Sequence, residues 1–199
     1  MRFRHVFNLS LHRNGTQSVH DLMCRSGLSA IHLPALVGGV NHEAQIDGYE
    51  HDVDYIVETL APALDGVIAA GDIPIPVLYA PLCKRYPNSA FLLAVRPPED
   101  WIRSVRRLLG DHHLRVFERV LYWSYLEGDP SSLRDVTDAA LHSLYREHVQ
   151  AVSTYFEGQN RLLIFDLSDP VAGERIGRFL GTPELPLGNL DYFRNVPLG

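Results

Sequence analysis

The sequence predicts an α/β protein of three layers, in which helices cover both faces of a central parallel sheet of about five strands. Short, almost wholly apolar runs recur along the chain, as is typical of strands that are buried on both faces. Between them lie longer segments with apolar residues three and four positions apart, the spacing of a helix packed along one face. Strands that alternate with helices in this way favour a parallel sheet.

The composition is that of an ordinary globular protein. The chain has 199 residues, of which 46% are hydrophobic and 21% charged, and we expect one domain over residues 1–199. A net charge of −6 offers no general attraction for nucleic acid or an anionic membrane, so an anion site must be built locally from a few arginines. No apolar run has the character of a signal peptide or the length of a membrane span, and we expect a cytoplasmic protein.

The first strand is predicted from near residue 6 to residue 11, and a polar loop separates it from the first helix. We refer to residues 12–18 as the first loop; its members are His12, Arg13, Asn14, Gly15, Thr16, Gln17 and Ser18. A loop at the start of a helix presents unpaired backbone N–H groups and the positive end of the helix dipole, which together suit an anion. Arg13 adds a cation, and Gly15 allows a close backbone approach.

The remaining elements follow from the same two patterns. Further strands are predicted at residues 29–33, 67–70, 90–95 and 161–167, and further helices at residues 49–64, 77–82, 99–104 and beyond, 114–126, 132–156 and 171–180. Residues 37–48 contain three glycines and show neither period, and we interpret them as a loop that acts as a lid or binds the acceptor.

Polar residues follow two of the predicted strands where parallel sheets place their ligands. Asp72 comes after the strand at 67–70, although a turn-capping role would also account for a carboxylate there. Arg96 comes directly after the strand at 90–95, and Ser104 falls about one and a half turns into the next helix. A guanidinium and a serine hydroxyl that face one another offer charge-assisted bonds for a phosphate.

These motifs resemble those of sulfotransferases that use 3′-phosphoadenosine 5′-phosphosulfate (PAPS). The first loop resembles their 5′-phosphosulfate loop, Pro-Lys-Ser/Thr-Gly-Thr-Thr followed by Ser or Trp. An Arg, a Pro-containing turn and a Ser eight residues after the Arg resemble their 3′-phosphate motif, here Arg96 to Ser104. The runs at 86–106 and 144–181 are similar to bacterial members, so the likeness extends from near residue 5 to near residue 183.

The resemblance implies a nucleotide-kinase-like (P-loop NTPase-like) fold and metal-free transfer of a sulfonate from PAPS to a hydroxyl or amine. The acceptor would be a small molecule or carbohydrate, and the product nucleotide would be 3′-phosphoadenosine 5′-phosphate (PAP). The resemblance also assigns residue roles. The 5′-phosphosulfate would bind to Arg13, Asn14, Gly15, Thr16, Gln17 and Ser18, the 3′-phosphate to Arg96 and Ser104, and the catalytic candidates are Asp72, Arg13 and His12.

The sequence departs from the family pattern at several of these positions. Asp72 stands where the cytosolic enzymes have a histidine base, and Arg13 replaces a lysine that can give up a proton more readily. His12 replaces a proline, Gln17 replaces a threonine, and no Arg-Lys-Gly element for the nucleotide is found near the C-terminus, where Arg194 and Asn195 are substitutes.

Two other functions remain open at this point. The altered first loop is compatible with a non-catalytic descendant of the fold that keeps an anion site and binds a partner. A nucleotide or small-molecule kinase is disfavoured, because its phosphate loop needs a second glycine followed by Lys-Ser or Lys-Thr. The residue pattern indicates neither the acceptor nor the oligomeric state.

Overall fold

The computed structural model describes residues 1–182. Its strands are β1 (His5–Asn8), β2 (Ala30–His32), β3 (Leu36–Val37), β4 (Val40–Asn41), β5 (Ala69–Gly71), β6 (Ser89–Val95) and β7 (Leu162–Asp166). Its α-helices are α1 (Thr16–Arg25), α2 (His42–Ile46), α3 (Val53–Asp65), α4 (Tyr79–Arg85), α5 (Pro98–Leu109), α6 (Val116–Trp123), α7 (Asp138–Tyr155) and α8 (Ala172–Leu180), with a 3-10 helix at Ile75–Leu78.

A parallel five-stranded sheet in the order β2-β5-β1-β6-β7 forms the centre of the protein. In the central strand β1, Phe7 lies opposite Ala70 of β5 and Phe91 of β6. Helices α1 and α8 cover one face of the sheet, and α3 to α7 cover the other. The prediction of a three-layer α/β fold with a central parallel sheet is therefore confirmed.

Successive side chains of a strand point to opposite faces of the sheet, which explains why the protein has two separate hydrophobic cores. Val6 of β1 and Leu92 of β6 face α1 and α8, whereas their neighbours Phe7 and Phe91 face the larger helical layer. All four side chains are at most 1% exposed. Strands buried on both faces have no polar side to display, which is why the sequence shows them as continuous apolar runs.

Residues 37–48 are more ordered than the loop predicted from their glycines. Strands β3 and β4 pair in an antiparallel hairpin, and α2 follows, with the Asn41 side chain accepting a hydrogen bond from the Ala44 N–H at 3.1 Å. Gly38 and Gly39 occupy the turn with φ of 59° and 81°. A two-residue hairpin turn needs positive φ at both positions, so the glycines mark a tight turn.

The helix predicted to begin at residue 132 begins at Asp138 instead. The Arg106 side chain of α5 donates to the carbonyl oxygens of Leu133, at 2.6 Å, and of Val136. The Thr137 hydroxyl then caps the helix by accepting from the Ala140 N–H at 3.1 Å. The apolar spacing at 133–136 reflects burial of an irregular segment.

Two other helices also begin later than predicted. Helix α3 begins after Asp52, whose side chain accepts a hydrogen bond from the Tyr55 N–H at 2.9 Å. Before α6, the Leu114 N–H donates to the Ser131 carbonyl at 2.7 Å instead of joining the helix. The predicted nucleotide contacts at Arg194 and Asn195 lie outside the described residues. No helix within residues 1–182 is long and apolar enough to cross a membrane.

Candidate active site

The carboxyl ends of the five parallel strands bring the predicted site residues to one edge of the sheet. His32 ends β2, Asp72 follows β5, Arg96 follows β6 and Asp166 ends β7. The first loop follows β1 in the middle of this edge. Polar groups that are distant in the sequence therefore meet along one line.

A cleft of about 590 Å³ lies on the β6 and β7 side of this edge. Its lining residues come from the first loop and α1, from the start and exposed face of α5, and from the segment after β7: Gly15, Ser18, Arg96, Pro97, Asp100, Arg103, Ser104, Arg107, Asp166, Leu167 and Ser168. Three of these are arginines and two are aspartates. The cleft thus combines guanidinium groups with serine hydroxyls, the groups that bind phosphate and sulfate oxygens.

The Arg96 guanidinium has one buried donor without a hydrogen-bond partner among residues 1–182. One terminal nitrogen donates to the Asp100 carbonyl, while Nε is buried and has no partner among the described residues. Burial lowers the pKa of Arg96, and the nearby Asp100 carboxylate opposes that shift. A partly buried cation with an unused N–H is stabilised when an anion binds beside it.

The first loop enters α1 through two residues in the left-handed region, Arg13 with φ of 62° and Gly15 with φ of 75°. No side chain within residues 1–182 caps α1, so the N–H groups of its first turn remain available to an anion. A Cβ on Gly15 would meet a Leu167 methyl at 2.3 Å. Glycine therefore serves both the backbone conformation and the close packing of the loop against the segment after β7.

Buried hydrogen bonds hold the first loop in place. Asn14 Nδ2 donates to the Ala94 carbonyl at 2.5 Å, and the Trp101 indole N–H donates to the His12 carbonyl at 2.9 Å. Tyr145 of α7 accepts from the Arg96 N–H and donates to the Arg96 carbonyl, both at 2.9 Å, and it lies 3.4 Å from Asn14 Nδ2. The loop and the end of β6 are thus tied to the same tyrosine.

His12 is directed into the protein rather than into the cleft. It is 4% exposed, and its Nε2 lies 2.6 Å from the Tyr122 hydroxyl. Burial, followed by the charges of Arg13 and Arg115, lowers the pKa of His12 from 6.5 to about 3. The ring is therefore neutral at physiological pH, and its position favours a structural role over the catalytic one expected from the sequence.

Two residues of the first loop have side chains engaged within the protein. The Gln17 amide is exposed and donates to Asp21 Oδ1 at 2.8 Å. The Thr16 hydroxyl is buried and lies 3.1 Å from His32 Nε2. Neither residue lines the cleft, whereas Gly15, Ser18, Arg96 and Ser104 do so. The phosphate contacts predicted for Gln17 and Thr16 remain predictions.

Asp72 lies at the same edge of the sheet, on the β2 and β5 side. It is 8% exposed and adopts φ of 67°, a strained conformation for a non-glycine residue. Its Oδ2 lies 3.3 Å from His32 Nε2, and its Oδ1 is buried with no partner in the described part of the chain. Burial raises the pKa of Asp72, and the charge of His32 is the largest influence that opposes the rise.

Arg13 connects the two sides of the site. Its Nε donates to Ser104 Oγ at 3.1 Å, beside the cleft, while its charge lowers the pKa of Asp72 on the other side. A cation in this position can interact with an anion held in the cleft and with a group that reacts near Asp72.

A family model described as a sulfotransferase domain matches residues 5–188. The chain belongs to the sulfotransferase domain family. The resemblance found in the sequence motifs is thereby confirmed, and membership supports sulfotransfer as the general activity of the chain. No curated protein matches the chain.

Two residues of this candidate site, His32 and Tyr145, were not predicted from the sequence. His32 ends a strand that is the sheet neighbour of the one before Asp72, so the rule that identified Asp72 applies equally to it. Tyr145 could not have been found in this way, because it lies on a helix 49 positions from its partner Arg96. Within residues 1–182, no three His, Cys, Asp or Glu side chains form a group that could hold a metal ion.

Proposed function

We propose that this sulfotransferase transfers the sulfonate of PAPS to a hydroxyl or amine of a small-molecule or carbohydrate acceptor. The observation that supports the proposal is the half-buried Arg96, whose Nε has no partner among residues 1–182 and whose side chain lines the cleft with Ser104. PAPS, when bound, supplies an activated sulfonate attached to a phosphate leaving group.

The cleft has the groups needed to hold such a donor. Arg96 and Ser104 would bind the 3′-phosphate, with Arg103 and Arg107 on the same helix adding positive charge. Ser18 and the first-turn N–H groups of α1 would bind oxygens of the 5′-phosphosulfate. This division assigns the two ends of the nucleotide to two different strand ends of one sheet.

Arg13 and Asp72 would perform the chemical step. The fixed charge of Arg13 stabilises the negative charge that develops on the phosphate oxygen as the sulfonate leaves, without proton transfer. Asp72 accepts the proton of the acceptor. A carboxylate whose pKa is raised by burial is a stronger base than one in water, which suits this role.

Calorimetric titration with PAP in metal-free buffer tests the donor site. We expect wild-type protein to bind PAP in preference to ATP with magnesium, and Arg96→Ala to weaken PAP binding by about tenfold to a hundredfold, the effect of a lost charge-assisted hydrogen bond. Arg85→Ala is the matched control, because Arg85 pairs with Glu58 in α3 and belongs to α4, which precedes β6.

Two results would contradict the proposal. Folded wild-type protein that does not bind PAP would exclude the donor site, and an Arg96→Ala variant with unchanged affinity would exclude the residue. PAP binding without any consumption of PAPS would favour the non-catalytic alternative.

A further inference from the structure

His32 lies between the base candidate and the first loop. Its Nε2 is 3.3 Å from Asp72 Oδ2 and 3.1 Å from Thr16 Oγ1. The three side chains belong to the ends of β2 and β5 and to the start of α1, so the contact joins the acceptor side of the site to the loop that precedes α1. His32 is partly exposed, with 22% of its side chain accessible, whereas Thr16 and Asp72 are buried.

One carboxylate oxygen of Asp72, Oδ1, has no hydrogen-bond donor within residues 1–182. His32 Nε2 lies within ion-pair distance of Oδ2, at 3.3 Å, and this contact restricts the orientation of the carboxylate, while the hydrogen bond of the same nitrogen is with Thr16 Oγ1. Oδ1 then has no partner within residues 1–182, although it is removed from solvent. A carboxylate oxygen only accepts hydrogen bonds, so the group that satisfies Oδ1 must carry an O–H or N–H.

We propose that His32 and Asp72 act as one proton-accepting unit, in which His32 holds Oδ2 so that Oδ1 meets the O–H or N–H of the acceptor. In this arrangement His32 is a positioning residue, and Thr16 connects the unit to the first loop. The inference rests on the proposed function and adds to it the residue that orients the base.

The sulfonate transfer needs no reactant beyond PAPS and the acceptor, with Arg13 and Asp72 assisting. The acceptor oxygen or nitrogen forms a bond to the donor sulfur, and the bond between that sulfur and the bridging phosphate oxygen breaks. The electron pair of the broken bond stays on the phosphate oxygen, where the charge of Arg13 stabilises it. The acceptor proton passes to Asp72 Oδ1 and is released to water when the product leaves.

The charges around Asp72 give the unit a measurable signature. Asp72 faces His32 from β2, Arg13 from the first loop, Arg115 before α6 and the backbone N–H of Ile73, and all four oppose the rise in its pKa caused by burial. His32 itself faces His20 of α1, with ring centres 5.6 Å apart. Loss of the His32 ring removes the largest opposing influence, so the pKa of Asp72 should rise further.

The test measures PAP binding and PAPS consumption in the same variants. PAP affinity is measured by calorimetry. The release of sulfonate from PAPS is followed across a pH series with water as acceptor, and with p-nitrophenol and glucosamine as probe acceptors. The variants are His32→Gln and Asp72→Asn, with His142→Gln as control because His142 is on α7 beside Glu99.

We expect His32→Gln to keep PAP affinity within about threefold, because His32 does not line the cleft. Its rate should fall by about tenfold to a hundredfold, and the acid limb of its pH profile should move to higher pH. Asp72→Asn should also keep PAP affinity, lose more activity and lose the acid limb. His142→Gln should behave as wild type in both measurements.

Three results would overturn the inference. The first is a His32→Gln variant with the rate and pH profile of the wild type. The second is loss of PAP binding in that variant while it remains folded. The third is a wild-type protein that consumes PAPS no faster than Asp72→Asn does. If His32→Gln does not fold, His32→Asn takes its place. Failure of the proposed function would look different, since wild-type protein would then not bind PAP at all.

Discussion

Gly15 and Gly27 share a φ of 75° but differ in what surrounds them. At Gly15 an added Cβ would meet the Leu167 side chain at 2.3 Å, whereas at Gly27 no atom of the described residues, apart from the glycine and its two chain neighbours, lies within 4 Å of the corresponding point. A comparison of alanine variants at these two positions therefore separates the energetic cost of backbone strain from that of steric conflict with Leu167.

Gly15→Ala should lower the free energy of unfolding by more than Gly27→Ala. Both variants incur the left-handed backbone penalty of about 1–2 kcal/mol, and only the first must also displace Leu167. Urea unfolding of the two variants and the wild type measures the difference. Equal losses would mean that Leu167 moves aside freely.

Single residues could be predicted from the sequence where backbone topology alone decides their position. Arg96 and Asp72 follow strands, and parallel strands bring their carboxyl ends together. The inward orientation of His12 was not predictable, because whether a loop side chain points outward or inward depends on a distant partner, here Tyr122. Sequence spacing carries no information about such a partner.

Helix α7 holds the end of β6 and the first loop together through Tyr145. This side chain is 4% exposed and satisfies both the N–H and the carbonyl of Arg96, while it also lies near Asn14. The helix that packs over β6 therefore fixes the strand end and the first loop relative to one another.

Tyr145→Phe should lower the free energy of unfolding by about 1–3 kcal/mol, since it leaves backbone groups of Arg96 without a partner. PAP affinity should fall as well, because Arg96 and the first loop lose their common anchor. Urea unfolding and calorimetric titration measure the two effects. The control is Tyr155→Phe on the same helix, where the side chain is 38% exposed.

A Tyr145→Phe variant that is less stable but binds PAP normally would show that the tyrosine supports the fold without positioning the donor site. A variant with wild-type stability would contradict the importance of these hydrogen bonds altogether. Either result would leave the role of Arg96 itself to be decided by Arg96→Ala.

Strands were predictable as elements, and helix beginnings were not. The buried strands have a local signal, an apolar run with no polar face. The beginning of α7 is decided by Arg106, which lies 27 positions from Leu133 and occupies the carbonyl oxygens that a helix would otherwise use. The hairpin β3–β4 was missed because each strand has only two residues, too few to display a period.

Two buried histidines, His12 and His148, make the stability of the whole protein depend on pH. Burial lowers the pKa of His12 from 6.5 to about 3 and that of His148 from 6.5 to about 4. The Nε2–H of His148 donates to the Leu9 carbonyl at 2.8 Å, so its Nδ1 accepts from the Tyr125 hydroxyl, also at 2.8 Å. Both rings are therefore held in the neutral form beneath the first loop.

Acid should destabilise the protein through these two groups. The unfolded chain takes up protons at about pH 6.5 and the folded chain only near pH 3–4, so stability is complete above about pH 6.5 and is lost as the pH falls below it. Each histidine contributes a loss of about 2 kcal/mol at about pH 5. Asp72, whose pKa is raised by burial, acts in the opposite sense.

Urea unfolding at about pH 7.5 and about pH 5 measures this dependence. In His148→Gln the stability lost between the two pH values should be smaller than in wild type by about 2 kcal/mol, whatever the stability of the variant at neutral pH. His142→Gln, which removes a partly exposed histidine, should retain the wild-type dependence. An identical pH dependence in His148→Gln would contradict the assignment.

The sheet order divides the site into two sides across the central strand β1. Strands β6 and β7 carry the cleft, and strands β2 and β5 carry His32 and Asp72. This division follows from the parallel topology, which the sequence predicted. The identity of each lining residue depends on side-chain packing across the sheet edge, which a single sequence does not display.

The buried hydrogen bond between the Trp101 indole and the His12 carbonyl places a fluorophore against the first loop. Trp101 is 0% exposed, and the chain contains two tryptophans, the other being Trp123 on α6. The tryptophan emission of a Trp123→Phe variant therefore comes from Trp101 alone. Its emission reports on the polarity and rigidity of the loop, so the protein contains an optical probe of changes in the first loop that needs no added label.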